Sequence, residues 1–84
     1  MSLKYKIFYK KFDRLSRKEI HDLFLLRSEV FVVEQNCVYQ DIDGRDENAE
    51  HALLKKNNKI IAYARVLEDR GPNNISIGRI VVSK

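Results

Sequence analysis

Glu34, Cys37 and His51 are the side chains in this sequence best equipped to move a proton or a group. An unperturbed histidine titrates near pH 6.5, so His51 is a candidate general base. Glu34 is a carboxylate able to accept a proton directly or through water. Cys37 would act as a nucleophile only with a base in hydrogen-bond reach, and only folding could bring His51 or Glu34 there. A packed loop thiol is its simpler reading. His21 is expected at the surface of a helix.

A second set of residues suits binding. Tyr63 and Arg65 lie two apart in a β-rich run and so share one face. With Arg79 they could hold an anionic or polar group, or form structural ion pairs at the edge of a core. Arg27 interrupts an apolar helical stripe. It either snorkels or pairs at the core edge, or forms a wall of a cleft. Asp41, Asp43, Asp46 and Glu47 invite a metal reading that fails on spacing. A calcium loop has its glycine after a third acidic or amide position, whereas Gly44 directly follows the second aspartate. Zinc would need more Cys or His than Cys37 and His51 provide. No metal is expected. The acidic run reads as a solvated turn or a patch attracting a cationic amine.

The elements that position these residues follow from periodicity. Lys4 to Phe12 alternates, with Tyr5, Ile7 and Tyr9 on one face and lysines mostly on the other, as in a half-buried strand. After a turn at Asp13-Arg14, Ser16 and Glu19 form a capping box, flanked by a staple of Leu15 and Ile20. Ile20, Leu23, Phe24, Val30 and Phe31 recur at helical spacing, and Leu26 and Val33 widen the stripe. The helix is expected to end near Val33. Residues 34–50 read as a long ordered loop containing a short helical turn. His51 to Lys56 and Lys59 to Leu67 are strands joined by a hairpin at Asn57-Asn58. A turn at Gly71-Pro72 leads to a last strand, Ile75 to Ser83. Gly78 within it marks a bulge or a close backbone approach.

Eighty-four residues permit one domain. Such a chain buries roughly 60–65% of its unfolded surface, so its stability should be marginal. No apolar run approaches the ~18 residues of a membrane span, and the N-terminus lacks the form of a secretory signal. A lone cysteine fits a reducing compartment, here expected to be the cytoplasm. Charge is segmented: residues 1–27 net +5, residues 28–50 net −6 and residues 51–84 net +5. The acidic middle interrupts any continuous basic face, so nucleic acid is not an expected partner.

The runs Leu26-Arg27-Ser28-Glu29-Val30-Phe31-Val32-Val33-Glu34-Gln35-Asn36-Cys37 and Tyr39-Gln40-Asp41-Ile42-Asp43-Gly44 resemble the ElaA-like branch of the GNAT (Gcn5-related) N-acetyltransferases. So do His51, Ala62-Tyr63-Ala64-Arg65 and Ile77-Gly78-Arg79-Ile80-Val81-Val82. Val38 departs from the family, which commonly has proline there. The resemblance implies an α+β class: a partial GNAT fold, β-α-loop-β-β-β, with an antiparallel meander in its last three strands. It lacks the cofactor-loop helix and later strands. Residues 1–84 would then be the N-terminal portion of one acyltransferase domain.

The resemblance further implies transfer of an acetyl group from acetyl-CoA to a small-molecule or peptide amine by direct attack. Ile80, Val81 and Val82 would pair through their backbone with the pantetheine arm. Glu34 and His51 are the catalytic candidates, and Arg27, Tyr63, Arg65 and Arg79 the substrate-binding ones. The pyrophosphate loop of such enzymes, whose backbone amides open a helix, is not found in this sequence. The 84 residues alone are therefore expected to be inactive. The alternative is a non-catalytic half-domain that dimerises or recruits a partner through the exposed edge of its last strand.

Overall fold

The computed structural model describes residues 5–36, 40–68 and 74–83. Strand β1 (Tyr5–Lys11) leads through a 3-10 turn (Phe12–Arg14) into helix α1 (Arg17–Ser28). A wide π-type turn (Glu29–Glu34) prolongs the helix. A loop with a 3-10 turn at Asp46–Asn48 then enters β2 (Glu50–Lys56), β3 (Lys59–Glu68) and β4 (Ile75–Val82). The strands form one antiparallel sheet in the order β1-β2-β3-β4. Both β1 and β4 are edges of this sheet. Cys37 and the Gly71-Pro72 turn lie outside the described residues.

The expected cap starts the helix. Ser16 Oγ accepts from the Glu19 amide at 3.0 Å, and Glu19 Oε1 accepts from the Ser16 amide at 2.8 Å. Two of the four orphan amides at the helix start are thereby satisfied. Glu19 is buried and also receives Lys10 Nζ and Lys55 Nζ, at 3.0 Å and 2.7 Å. Both ammonium groups lie over the Phe8 ring, 5.1 and 5.2 Å from its centre. The capping residue thus also ties α1 to β1 and β2.

Leu23, Leu26, Leu53, Ile60, Tyr63 and Val81 form the centre of the core, with Phe8, Phe24 and Phe31 packed around it. Among the described residues, the helix covers one face of the sheet and nothing covers the other. Two sequence expectations change here. Val33 is exposed, because the π-type turn adds residues per turn and rotates it off the apolar stripe. In β1 it is Phe8, not Tyr5, Ile7 and Tyr9, that faces the helix; those three are exposed on the opposite side.

The hairpin at Asn57-Asn58 has φ of 52° and 68°, the paired positive values of a two-residue I′ turn. A bulge interrupts β4. Tyr63 pairs with Val81 but Arg65 pairs with Gly78, so β4 has one extra residue opposite Ala64. The positive φ falls on Arg79, at 51°, rather than on Gly78. The bulge shifts the side-chain alternation. Ile77 before it and Ile80 and Val82 after it all point away from the helix, while Val81 points into the core.

Candidate functional site

The loop after the wide turn carries Asp41, Asp43 and Asp46, and three elements each aim one arginine at it. Arg27 comes from α1, Arg65 from β3 and Arg79 from β4. Arg27 is fully buried. Its Nη1 donates to Asp46 Oδ1 at 2.7 Å and its Nη2 to the Asp41 carbonyl at 2.8 Å. Its Nε lies against the Asp41 carboxylate, 3.1 Å from Oδ2. Arg65 grips Asp43 with two bonds of 2.8 and 2.9 Å and reaches Asp46 Oδ1 at 3.2 Å. Arg79 donates to Asp41 Oδ1 at 2.9 Å, to the Asp41 carbonyl at 3.1 Å and to Asp43 Oδ2 at 3.2 Å.

Three guanidiniums thus meet three carboxylates, and their formal charges cancel. Bidentate geometry is the strongest form of such pairing. Arg79 reaches its partners because the bulge turns it toward the loop. Gly44, at φ 81°, reverses the chain between Asp43 and the Asp46 turn. The Arg45 amide closes that reversal on Asp43 Oδ1 at 3.1 Å. Asp41 and Asp46 are buried, so the acidic run is not a solvated turn. Among the described residues no group of three or more His, Cys, Asp or Glu is arranged to hold a metal.

Charge partners set the protonation of this cluster. Arg65 holds Asp43 well below the usual carboxylate range, and Asp43 in turn raises the Arg65 pKa. Burial would lower the pKa of Arg27, but its hydrogen bond and charge pairing with Asp46 outweigh that and raise it. Asp43, Arg65 and Arg27 therefore stay charged at every physiological pH.

His51 is fully buried beside the cluster. Its Nε2 lies 2.9 Å from the Asp46 carbonyl, which only accepts, so Nε2 carries the proton. Its Nδ1 then accepts from the Tyr63 hydroxyl at 2.5 Å. Burial lowers the His51 pKa and raises that of Tyr63, so both are neutral near pH 7. With both ring nitrogens engaged, His51 fixes the loop at Asp46 rather than facing an open cleft.

The remaining candidates lie elsewhere. Glu34 ends the wide turn in an exposed position. Tyr63 and Arg65 share a face as expected, but it is the buried face, and both side chains are enclosed. Ile80 and Val82 are exposed beside the open edge of β4, and Val81 is buried. The Ser83 amide donates to the Ile61 carbonyl at 2.7 Å. Backbone direction alternates along a strand, so the amides and carbonyls of Val82 and Ile80 point outward from the sheet. That edge is chemically suited to pair with an extended amide-bearing chain such as a pantetheine arm.

No family model matches the chain. It is 48% identical over 75 residues to Protein ElaA of Escherichia coli, covering 86% of this chain and 49% of that protein. It is 44% identical over 75 residues to a UPF0039 protein of Schizosaccharomyces pombe, covering 88% of this chain and 49% of that one. Its fold matches the crystal structure of Escherichia coli ElaA with a TM-score of 0.89 at 40% identity, over 96% of this chain and 57% of that one. It matches an acyl-CoA N-acyltransferase from Pseudomonas aeruginosa with a TM-score of 0.83 at 39% identity, over 98% of this chain and 57% of that one. In sequence and fold the chain resembles the ElaA-like GNAT acyltransferases. It has the partial α+β fold expected from the sequence. It spans about half the length of the curated relatives it matches.

Proposed function

We propose that this chain is the acceptor-side half of an acyl-CoA-dependent N-acyltransferase that transfers an acetyl group to an amine. The observation that carries the reading is the bulged edge of β4. Its outward backbone groups at Ile80 and Val82 meet the requirement of an amide-bearing cofactor arm, in a fold that follows an acyl-CoA N-acyltransferase closely. When bound, acetyl-CoA supplies an activated thioester. The amine nitrogen attacks the thioester carbonyl; the C–N bond forms, the C–S bond breaks and the sulfur leaves as a thiolate that takes up a proton.

In this reading Glu34 accepts the proton released by the amine, directly or through water. Ile80, Val81 and Val82 hold the pantetheine arm through the backbone. Arg79, the least buried of the three arginines, is the one placed to touch an acceptor. Arg27, Arg65, Tyr63 and His51 act one step back, by holding the 40–48 loop in place. A small-molecule or peptide amine is the acceptor class, and acetyl-CoA the co-substrate.

Isothermal calorimetry tests this. Acetyl-CoA would be titrated into the 84-residue chain and into a version extended by the remaining half of Escherichia coli ElaA. Tight binding by the extended chain alone is the expected result. Equal binding by both would overturn the claim that the second half is needed. No binding by the extended, folded chain would overturn the acyl-CoA reading itself.

A further inference from the structure

Lysines gather at the end of the sheet where β1 begins. Lys6 stands directly across from Lys55, and Lys56 directly across from Lys59. Like charges facing each other across antiparallel strands are destabilising, yet the fold holds two such pairs side by side. The carboxylate that answers this group is Glu19, and it serves Lys10 and Lys55. Among the described residues, Lys6, Lys56 and Lys59 have no carboxylate partner. A local rule broken without a compensating contact within the chain is the mark of a functional site.

On the helix side of the sheet the same end forms a cup of about 320 Å³, lined by Lys6, Phe8, Lys55, Asn57 and Asn58. Its polar groups are rich in donors. An ammonium only donates, and an asparagine amide adds two further N–H groups. The groups are also held in place. Glu19 fixes Lys10 and Lys55 over the Phe8 ring, and the tight turn fixes the backbone of both asparagines. Groups already ordered lose little freedom when a ligand arrives.

This arrangement selects its ligand. Three ammonium groups, from Lys6, Lys10 and Lys55, stand against the single charge of Glu19, so a dianion completes the balance. The ligand must also be compact and accept several hydrogen bonds at once. A phosphate group meets all three demands: it is doubly charged at neutral pH and carries three acceptor oxygens. Lysine binds it as a point charge, without the planar fork of arginine. A carboxylate brings half the charge and fewer oxygens. The cup has room for one phosphate group with a small organic remainder, not for an element of a partner protein. It lies on β1 and β2, whereas the backbone edge suited to a pantetheine arm is on β4, with β3 between.

We propose that the cup formed by Lys6, Phe8, Lys55, Asn57 and Asn58 is a binding site for a phosphate dianion, free or as the ester of a small molecule. The inference does not depend on acyl transfer.

The test is thermal unfolding of the 84-residue chain at about pH 8, where phosphate is largely a dianion. Sodium phosphate replaces sodium chloride at constant ionic strength. Phosphate should raise the Tm of the parent along a saturating curve, as binding to the native state requires. Lys6→Gln removes one like-charge pair, so in chloride it should melt no lower than the parent. Its apparent affinity for phosphate should nevertheless fall roughly tenfold, as for the loss of one charged hydrogen bond. Asn58→Gly keeps the positive φ of the turn without steric cost and should also weaken binding. Lys11→Gln makes the same change in net charge on the same strand, but Lys11 lies at the other end of β1, opposite Glu50. It should bind phosphate as the parent does. Glycerol phosphate separates the two sources: tighter binding than inorganic phosphate supports an ester as the ligand, and equal or weaker binding supports free phosphate. Undiminished binding by Lys6→Gln would overturn the proposal. So would equal losses in Lys6→Gln and Lys11→Gln, which is general charge screening. An unsaturating rise shared by all four proteins would overturn it too, since phosphate salts strengthen burial in any protein.

Discussion

Arg27 Nη1 lies 2.7 Å from Asp46 Oδ1, and both side chains are almost completely enclosed. This pair ties the helix to a turn nineteen residues further on. The same aspartate accepts from Arg65 through Oδ1 and from His51 through its backbone carbonyl. Asp46 is thus where helix, strand and loop are joined. Its Oδ2 and the Nε of Arg65 are buried without a hydrogen bond among the described residues. A partly satisfied network in a low-dielectric site tolerates little further loss.

Replacing Asp46 with Ala should therefore be severe. Removing one partner of a buried ion pair costs about 3–5 kcal/mol, because the other charge is left uncompensated. A domain of 84 residues has a total stability of about 4–13 kcal/mol. Asp43→Ala should cost less, since Asp43 is partly exposed and exposed pairs contribute about 0–1 kcal/mol. Urea unfolding followed by circular dichroism measures both. Equal midpoints for the two variants would show that Asp46 is no hub.

The sequence announces some of this and hides the rest. Ser16 and Glu19 are legible because a capping box is local, and Asn57-Asn58 because a two-residue turn is local. The arginine cluster is not local: its partners are separated by up to thirty-eight residues. Its one trace in the sequence is the segmented charge, +5, −6, +5, which is what a central acidic loop clamped by flanking basic elements looks like. The inward face of β1 was obscured for another reason. It carries Lys6 and Lys10 around Phe8, so alternation favours the face of Tyr5, Ile7 and Tyr9, whereas in the fold Glu19 arrives on the helix to partner Lys10 beside Phe8. Arg79 was unreadable as the bulge residue because glycine, one position earlier, is the usual bearer of positive φ.

Acid should destabilise the protein in two steps. His51 has a folded pKa below its ordinary 6.5, so it contributes stability above that pH and loses it as pH falls further. Glu19 is held at about 2 against an ordinary 4.5, despite its burial, by Lys55, the Ser16 amide and Lys10. Its contribution is full above pH 4.5 and is lost as pH falls toward 2. Asp43, also depressed, acts in the same direction over the lower window. Thermal unfolding from pH 8 to 2 should thus show a plateau above about pH 7, a first decline below 6.5 and a steeper one below 4.5. In His51→Gln the first decline should vanish; its persistence would assign that step to another group.

Glu19 couples two functions that are ordinarily separate, capping α1 and binding Lys10 and Lys55. Ser16→Ala removes only the cap bond and should cost about 1 kcal/mol. Glu19→Ala removes the return bond and both ion pairs, and leaves two ammonium groups side by side over Phe8. It should cost clearly more than Ser16→Ala. Because the two residues share bonds, the double variant should be less destabilised than the sum of the singles. Denaturant midpoints of all four proteins form the cycle. Strict additivity would mean that the box does not act as a unit.

Arg79 separates backbone cost from side-chain gain. At φ 51° an L-residue other than glycine costs roughly 1–2 kcal/mol. The protein tolerates this because the guanidinium reaches Asp41 and Asp43 from that conformation. Arg79→Ala keeps the strain and loses the ion pairs. Arg79→Gly loses the same ion pairs but relieves the strain, less the extra chain entropy of glycine. The glycine variant should therefore be the more stable of the two by about 0.5–1 kcal/mol, and both should fall below the parent. If alanine equals or exceeds glycine in urea unfolding, the bulge at Arg79 is not held in the left-handed conformation, and the outward placement of Ile80 and Val82 that depends on it would need another cause.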